Sequence, residues 1–436
     1  MTVEDLYENC KEQLKALGVG LHGRHTGGFD GYYNGKHIKK HILRVAKIED
    51  QGLTIDVKKA DDSWRGWEPT NDKQTLDKVF DDYIKPRIDK LKNSMHVAMW
   101  YSNRDVRIEE MPIPQVGSGE LLVRIEACGI CGSDVMEWYR LDRAPLVLGH
   151  EIGGQIVAVG EGVERYKEGD RISTAHHVPC NTCHYCLSGH HTVCDTLRRT
   201  NFDPGGLAEY VRLPAINVDR GVFVLPNEVS YEEATFIEPL ACVLRGQRLA
   251  HVQPGNTVFV IGSGIAGLLH VQLAHALGAS RVIAADINDY RLEAARRFGA
   301  NTTMHAKEDL PTRLRQVNQG RLADLVIVCT GAASAIAQAL KSVERGGTIL
   351  LFAPTNPGVT IPISINELFW RNDVTLTTSY GASPADYQTA LELIRAGAIP
   401  VRQMITHRLR LAETGLGFQL VADAQNSIKV IIEPQR

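Results

Sequence analysis

No run of this chain approaches the ~18 consecutive apolar residues that a membrane-spanning helix needs. Its first residues, MTVEDLYENCKEQ, are acidic and lack the apolar core of a secretory signal. A cytoplasmic protein with no membrane partner is therefore expected. Charge of one sign is missing too: a net charge of −3 over 436 residues offers no general attraction to nucleic acid. Internal repeats and low-complexity tracts are absent. What remains is a composition of 44% hydrophobic and 23% charged residues, that of a soluble globular protein. The length implies several domains, at roughly one per 100–200 residues. Nine cysteines without a secretion signal argue for metal or thiol chemistry over a disulfide framework.

Residues 1–94 read as a small α+β module. Val3, Leu6, Tyr7, Cys10, Leu14 and Leu17 recur at helical spacing. The Gly- and His-rich stretch LHGRHTGGFDGYYNGKHIKKH follows, with the pattern of plain loops. ILRVAKIEDQGLTIDV then alternates like two strands joined at Asp50-Gln51-Gly52. A second helical run extends from Leu76 to Leu91, with Pro86 inside it as an expected kink or break. From about 95 to 245 the chain shows short β signals and glycine turns, as in a small barrel-like domain. Residues 246–393 contain the alternation TVFVI, helix, RVIAAD, helix, DLVIVC, helix, GTILLF, which predicts a doubly wound parallel sheet. The tail, 394–436, reads as a strand, a short helix and a closing strand that return to the β domain.

Within the parallel region, Gly262-x-Gly264-x-x-Gly267 lies between a predicted strand and a predicted helix, and Asp286 ends the next strand. The triplet alone is a weak signal; with all three contexts present it predicts a dinucleotide site. Gly262 permits the tight turn, Gly264 the approach of the pyrophosphate, and Gly267 the close packing of helix on strand. The diphosphate would meet free N–H groups at the helix start. Ile265 and Arg291 are placed in the same cofactor site. Asp286 should accept the ribose hydroxyls and repel a 2′-phosphate, and Ile287 stands where an NADP site favours Arg, so NAD is expected.

Cys180, Cys183, Cys186 and Cys194 fall in PCNTCHYCLSGHHTVC. Four thiolates saturate a tetrahedral zinc and leave no open position, which predicts a structural ion. An iron–sulfur cluster normally wants CxxCxxCxxxC. Upstream, Cys128-x-x-Cys131 admits two readings, a redox pair or one reactive and one packed cysteine. Cys131 with His150 and a carboxylate makes a mixed S/N/O set, suited to a zinc that keeps a place for water or substrate.

CGICGSD, GHE, the four-cysteine loop, GGLAEYV, IEPLA and the glycine fingerprint occur here in one order. In that order they resemble the medium-chain zinc dehydrogenases, most closely the sorbitol (polyol) and threonine dehydrogenase branch, over about residues 95–436. The resemblance implies a Rossmann domain joined to a GroES-like β domain, with two zinc ions per chain and a homodimer or homotetramer. It implies Cys131, His150, Glu151 and Glu238 around the catalytic zinc, with Glu238 bound directly or through water. Asp134 would orient His150. The reaction implied is hydride transfer between a secondary alcohol and nicotinamide, with Ser133 passing the hydroxyl proton outward. Relatives end that relay in a histidine three residues further on; here Met136 stands there, and methionine cannot accept a proton. His177 matches a histidine near the substrate in the threonine branch and is the candidate replacement.

Two rival functions stay open: oxidation of threonine or another amino alcohol, and a catalytically idle nucleotide-sensing protein. A metal-free quinone reductase of this fold would lack both zinc sets. For the N-terminal module, His22, His25, His37 and His41 could form a metal or phosphate site, although oligomerisation or partner docking is the more economical reading.

Overall fold

Leu6, Cys10 and Leu14 share one face of the helix Val3–Ala16, and all three are buried. That face covers an antiparallel sheet whose strands run in chain order: Val19–Gly23, Gly28–Asn34, Lys39–Ile48, Gly52–Lys58 and Trp64–Gly66. Phe29, Leu43, Val45, Leu53 and Ile55 supply the sheet side of the core, and the ring of Phe29 lies 5.2 Å from Tyr7. The computed structural model describes residues 3–24, 28–34, 39–48, 52–58, 63–70 and 72–436. It divides into two compact units, 1–95 with 110–113, and 96–109 with 114–436.

The glycine- and histidine-rich stretch, expected as loop, instead forms a hairpin in which Leu21 pairs with Gly31 and Val19 with Tyr33. Burying Phe29 on one face explains why these glycine-diluted segments extend. His25 and His37 lie outside the described residues, as does the junction at Asp50 and Gln51. Pro86 does not break its helix. A widened π-type turn, Phe80–Ile84, precedes the helix Lys85–Lys92, so the proline ring sits in a first turn that tolerates it.

A three-stranded sheet, Asp105–Pro112, Ser94–Ser102 and Leu146–Val147, lies mostly in the second unit, whose part of it is residues 96–102, 105–109 and 146–147. Its larger β sheet is centred on Leu121–Gly129, which pairs with Glu151–Val159, Tyr210–Leu213 and Lys429–Glu433. Arg171–Thr174, Val222–Val224 and Ile405–Arg410 extend it. The last two strands of the tail are thus built into the same sheet as Cys128 and Glu151.

The nucleotide lobe is a six-stranded parallel sheet. Its spatial order is Thr302–His305, Arg281–Asp286, Thr257–Ile261, Ala323–Val328, Val343–Leu351, Thr375–Thr378. The order reverses on either side of Thr257–Ile261, which makes the crevice at its carboxyl end the place for a ligand. The sixth strand, TLTT, lacks an apolar run and was not anticipated; it is an edge strand, so pairing on one side is enough to hold it. The helices Ile237–Leu249 and Pro384–Arg395 pack together against this lobe.

His270, in the helix Ile265–Ala276, is fully buried, edge-on to Phe352 at 4.6 Å, and burial pushes its pKa down to about 3. The unfolded chain, at ~6.5, binds the proton more readily. The neutral ring therefore supports stability fully above about pH 6.5, and that support is lost as pH falls toward 3. His270→Leu should reduce the loss of unfolding free energy between about pH 7.5 and about pH 5 by about 2 kcal/mol, measured by urea denaturation. Equal pH dependence in both proteins would contradict this.

Candidate metal and dinucleotide sites

The strand Leu121–Gly129 ends in a tight turn. The Cys131 N–H donates to Asp134 Oδ2 at 3.1 Å, and the Asp134 N–H donates to the Cys131 carbonyl at 3.0 Å. This turn separates the two cysteines. Cys128 stays in the apolar core of the β sheet, where burial pushes its thiol far up, while Cys131 faces the site. The reading as one packed and one reactive cysteine is the one the geometry supports; all nine cysteines are free.

Cys131, His150 and Glu151 converge, with one ligand atom from each inside a 4.8 Å span. His150 turns Nδ1 toward the fully buried Asp134, 3.5 Å from Oδ1, so Nε2 is not spent on that partner. Burial opposes a charge on His150, yet Asp134 and Cys131 outweigh it and hold the imidazole well above its ordinary range. Burial likewise pushes Cys131 up, with Glu151 adding to the effect, and pushes Glu238 up, again with Glu151 adding.

Glu238 stands in the first turn of the helix Ile237–Leu249, buried beside the three-residue cluster and not within its tight span. Its Oε1 accepts from Cys242 Sγ at 3.3 Å. Glu151 has a partner that sequence reasoning missed. Lys429 Nζ donates to Glu151 Oε2 and also to the Thr235 carbonyl at 3.3 Å, and both side chains are 1% exposed. SIKVIIEP reads as an ordinary closing strand, and its one lysine gives no sign of pointing inward.

Glu151 lies within electrostatic reach of both Cys131 and Glu238, and Asp134 pairs with His150 and Arg140. A thiolate, an imidazole and carboxylates are donors zinc accepts, and a divalent cation would favour the ionised forms of Cys131 and Glu238 that burial opposes. The donor set fits such an ion.

Ser133 Oγ lies 3.4 Å from Cys131 Sγ. Arg140 closes over it from the short helix Glu137–Arg140: Nε donates to the Ser133 carbonyl at 3.2 Å, and Nη2 to Ser133 Oγ at 3.3 Å and to Asp134 Oδ1 at 3.4 Å. Arg140 is a second residue that sequence reasoning missed. His177 is not the ring next to His150. His176 lies between them, its centroid 4.6 Å from His150 and 3.9 Å from His177. His177 Nδ1 lies 2.5 Å from the Thr200 carbonyl, and burial pushes its pKa down to about 4.

The four-cysteine loop forms a second cluster, again inside a 4.8 Å span. Sulfur–sulfur distances are 3.6 Å (Cys183–Cys186), 3.6 Å (Cys180–Cys194) and 3.9 Å (Cys180–Cys186). A tetrahedron with Zn–S bonds of ~2.3 Å has edges of ~3.8 Å. N–H groups of Thr182 and Cys183 donate to Cys180 Sγ and pull its pKa down to about 5. A thiolate ready for metal follows.

At the glycine turn, Gly262 has φ +97°, and a side-chain carbon on Gly267 would collide with the Gly262 carbonyl. Both positions therefore require glycine. Gly264 caps the helix Ile265–Ala276. Asp286 Oδ2 accepts from the Ser263 N–H at 2.7 Å, and Oδ1 from the Asn288 N–H at 2.9 Å, which fixes the carboxylate across the turn. Arg291 reaches the same turn: a side-chain carbon on Gly264 would sit 3.7 Å from its Nη1. Ile287 is 68% exposed.

Two stretches of the chain match known domain families. Residues 117–222 match the alcohol dehydrogenase GroES-like domain, and 266–396 match the zinc-binding dehydrogenase domain. An L-threonine 3-dehydrogenase of Bacillus subtilis is 35% identical over 338 residues, 75% of this chain and 94% of that protein. A sorbitol dehydrogenase of Gallus gallus is 31% identical over 340 residues, 76% of this chain and 93% of that protein. The chain is a zinc-binding alcohol dehydrogenase of the medium-chain family. A solved structure from Sinorhizobium meliloti 1021, described as a zinc-binding dehydrogenase bound to NADP, superposes with a TM-score of 0.71 at 29% identity, covering 78% of this chain and 99% of that one. The family domains begin beyond residue 116, so this dehydrogenase carries its N-terminal unit as an addition to the matched region.

The buried Glu151–Lys429 pair gives a test of the charge balance. In metal-free dehydrogenase, Lys429→Met should cost roughly 3–5 kcal/mol of unfolding free energy by leaving a buried carboxylate unpaired. Adding Glu151→Leu should recover most of it. A loss below about 1 kcal/mol in urea denaturation would show that Glu151 does not depend on Lys429.

Proposed function

We propose that the chain transfers a hydride between a hydroxylated secondary alcohol and NAD, using a zinc held by Cys131, His150 and Glu151 with Glu238 alongside. The observation that carries this reading is the convergence of a thiol, an imidazole and a buried carboxylate from separate stretches of chain. Zinc, when bound there, supplies a Lewis acid for the carbinol oxygen, and NAD supplies the hydride acceptor. The four-cysteine loop holds a second, structural zinc.

The chain's own residues do the rest. Asp134 fixes the orientation of His150 through Nδ1. Ser133 Oγ takes the hydroxyl proton outward. Arg140 can only donate, so it occupies one lone pair of Ser133 Oγ and holds the hydroxyl in place without accepting its proton. His177, with Nδ1 turned to Thr200, offers Nε2 as a passing acceptor; at a pKa of about 4 it hands a proton on and does not store it. The backbone N–H groups at the start of Ile265–Ala276 receive the pyrophosphate. Asp286 receives the adenosine ribose. Several buried carboxylates favour a polar, hydroxyl-bearing substrate over a long apolar alcohol. Free thiols throughout and the absence, among the described residues, of a helix able to cross a membrane support a cytoplasmic setting.

Metal analysis and a substrate panel of sorbitol, 2-butanol and L-threonine test the reading together. The purified protein should hold two zinc ions per chain, and Cys131→Ala should lose one of them together with NAD reduction. One zinc and no turnover in the unaltered protein would favour the idle alternative. Ranking the panel by kcat/KM separates polyol from amino-alcohol oxidation.

Cofactor choice is a separate test. Asp286→Ser should remove the carboxylate that repels a 2′-phosphate and leave Arg291 beside the turn. The ratio of kcat/KM for NAD over NADP should fall roughly tenfold or more, about 1.4 kcal/mol per tenfold step. An unchanged ratio would remove Asp286 from cofactor selection.

A further inference from the structure

The short helix Glu137–Arg140 and the turn Leu141–Arg143 after it bring two guanidinium groups onto one ring. Arg140 lies 4.7 Å and Arg143 5.1 Å from the centroid of Tyr139. Like charges do not share a ring without cause. Arg140 has a structural tie, since Nε and Nη2 hold Ser133 and Asp134, but its Nη1 edge makes no hydrogen bond to the described residues. Arg143 has no such tie: its one bond is from Nη2 to the Tyr139 carbonyl at 3.2 Å, and no carboxylate among the described residues pairs with it.

The place of this pair matters more than its charge. Arg140 Nη2 is 3.3 Å from the hydroxyl that takes the substrate proton. Tyr139 and Tyr380 lie within electrostatic reach of each other, and Tyr380 within reach of Glu238 and Cys242. The arginine loop therefore fronts the metal cluster.

We infer that Arg140 and Arg143 form an anion subsite beside Ser133, and that the substrate is a hydroxylated carboxylate or phosphate ester. This rests on the dehydrogenase reading and narrows its substrate class. A guanidinium edge matches a carboxylate or phosphate in shape as well as charge.

The test pairs each anion with its neutral counterpart in the zinc-loaded enzyme: gluconate and sorbitol 6-phosphate against sorbitol, and 3-hydroxybutyrate against 2-butanol. In at least one pair the anion should lead by tenfold or more in kcat/KM, mainly through KM. Arg143→Gln should bring that ratio to within about threefold of unity, Arg143→Lys should restore part of it, and rising salt should erode it. Which anion leads distinguishes carboxylate from phosphate. Trp138, whose ring lies 5.8 Å from Tyr139, supplies a second readout. Anion binding in the presence of NADH should change its fluorescence saturably, and the change should be lost in Arg143→Gln and in a Trp138→Phe control. Equal turnover of charged and neutral partners would overturn the subsite and leave the dehydrogenase standing. A saturable, Arg143-dependent signal without turnover of any compound would keep the subsite and overturn the reaction. Neither signal nor turnover would overturn both.

Discussion

Buried negative charge organises this site. Cys131, Asp134, Glu151 and Glu238 are acidic groups removed from water, and removing an ion from water is costly unless a partner waits for it. Each partner comes from a different part of the chain. Lys429 arrives on a strand near the end, Arg140 on a four-residue helix, and His150 from the turn before its own strand. Where a cation is near, the acid keeps its charge, as Asp134 does beside His150 and Arg140; where burial prevails, as at Cys131 and Glu238, the pKa is pushed up. A divalent cation would reverse that balance by stabilising the ionised donors.

The same logic sets the two clusters apart. In the four-cysteine loop the stabilising groups are local. N–H groups of Thr182 and Cys183 point at one sulfur, and four cysteines within fifteen residues bring their sulfurs inside a 4.8 Å span. At the other cluster the ligands are distant in sequence, mixed in type and backed by Ser133 and Arg140. Local and saturated suits a structural ion; assembled and mixed suits one that must exchange a ligand. The parallel sheet adds the third element, a glycine turn whose tight approach is enforced by contact between Gly267 and Gly262.

Much of this could be read in advance wherever chemistry depends on short spacing. The cysteine loop and the glycine turn with Asp286 are each contained in a few tens of residues, so residue type and interval carry the geometry. The alternation of strand and helix from 257 to 352 likewise announced the parallel sheet, because burial on both faces forces continuous apolar strands. The hairpin at Val19–Asn34 escaped notice for the opposite reason. Its glycines and histidines dilute the apolar alternation, and Phe29 alone does not make a pattern.

Residue type and local interval therefore determined the ligand chemistry, the nucleotide turn and the class of fold. Tertiary structure alone decided which partners those groups received. Lys429 lies 278 residues beyond Glu151, and nothing in SIKVIIEP marks that lysine as buried. His176, not His177, rests on His150, although the two are neighbours in sequence and identical in type. Arg140, on the short helix Glu137–Arg140, donates to Ser133 Oγ. Electrostatic pairing acts over ångströms in space and leaves no periodic trace along a chain, so it becomes visible only once the chain has folded.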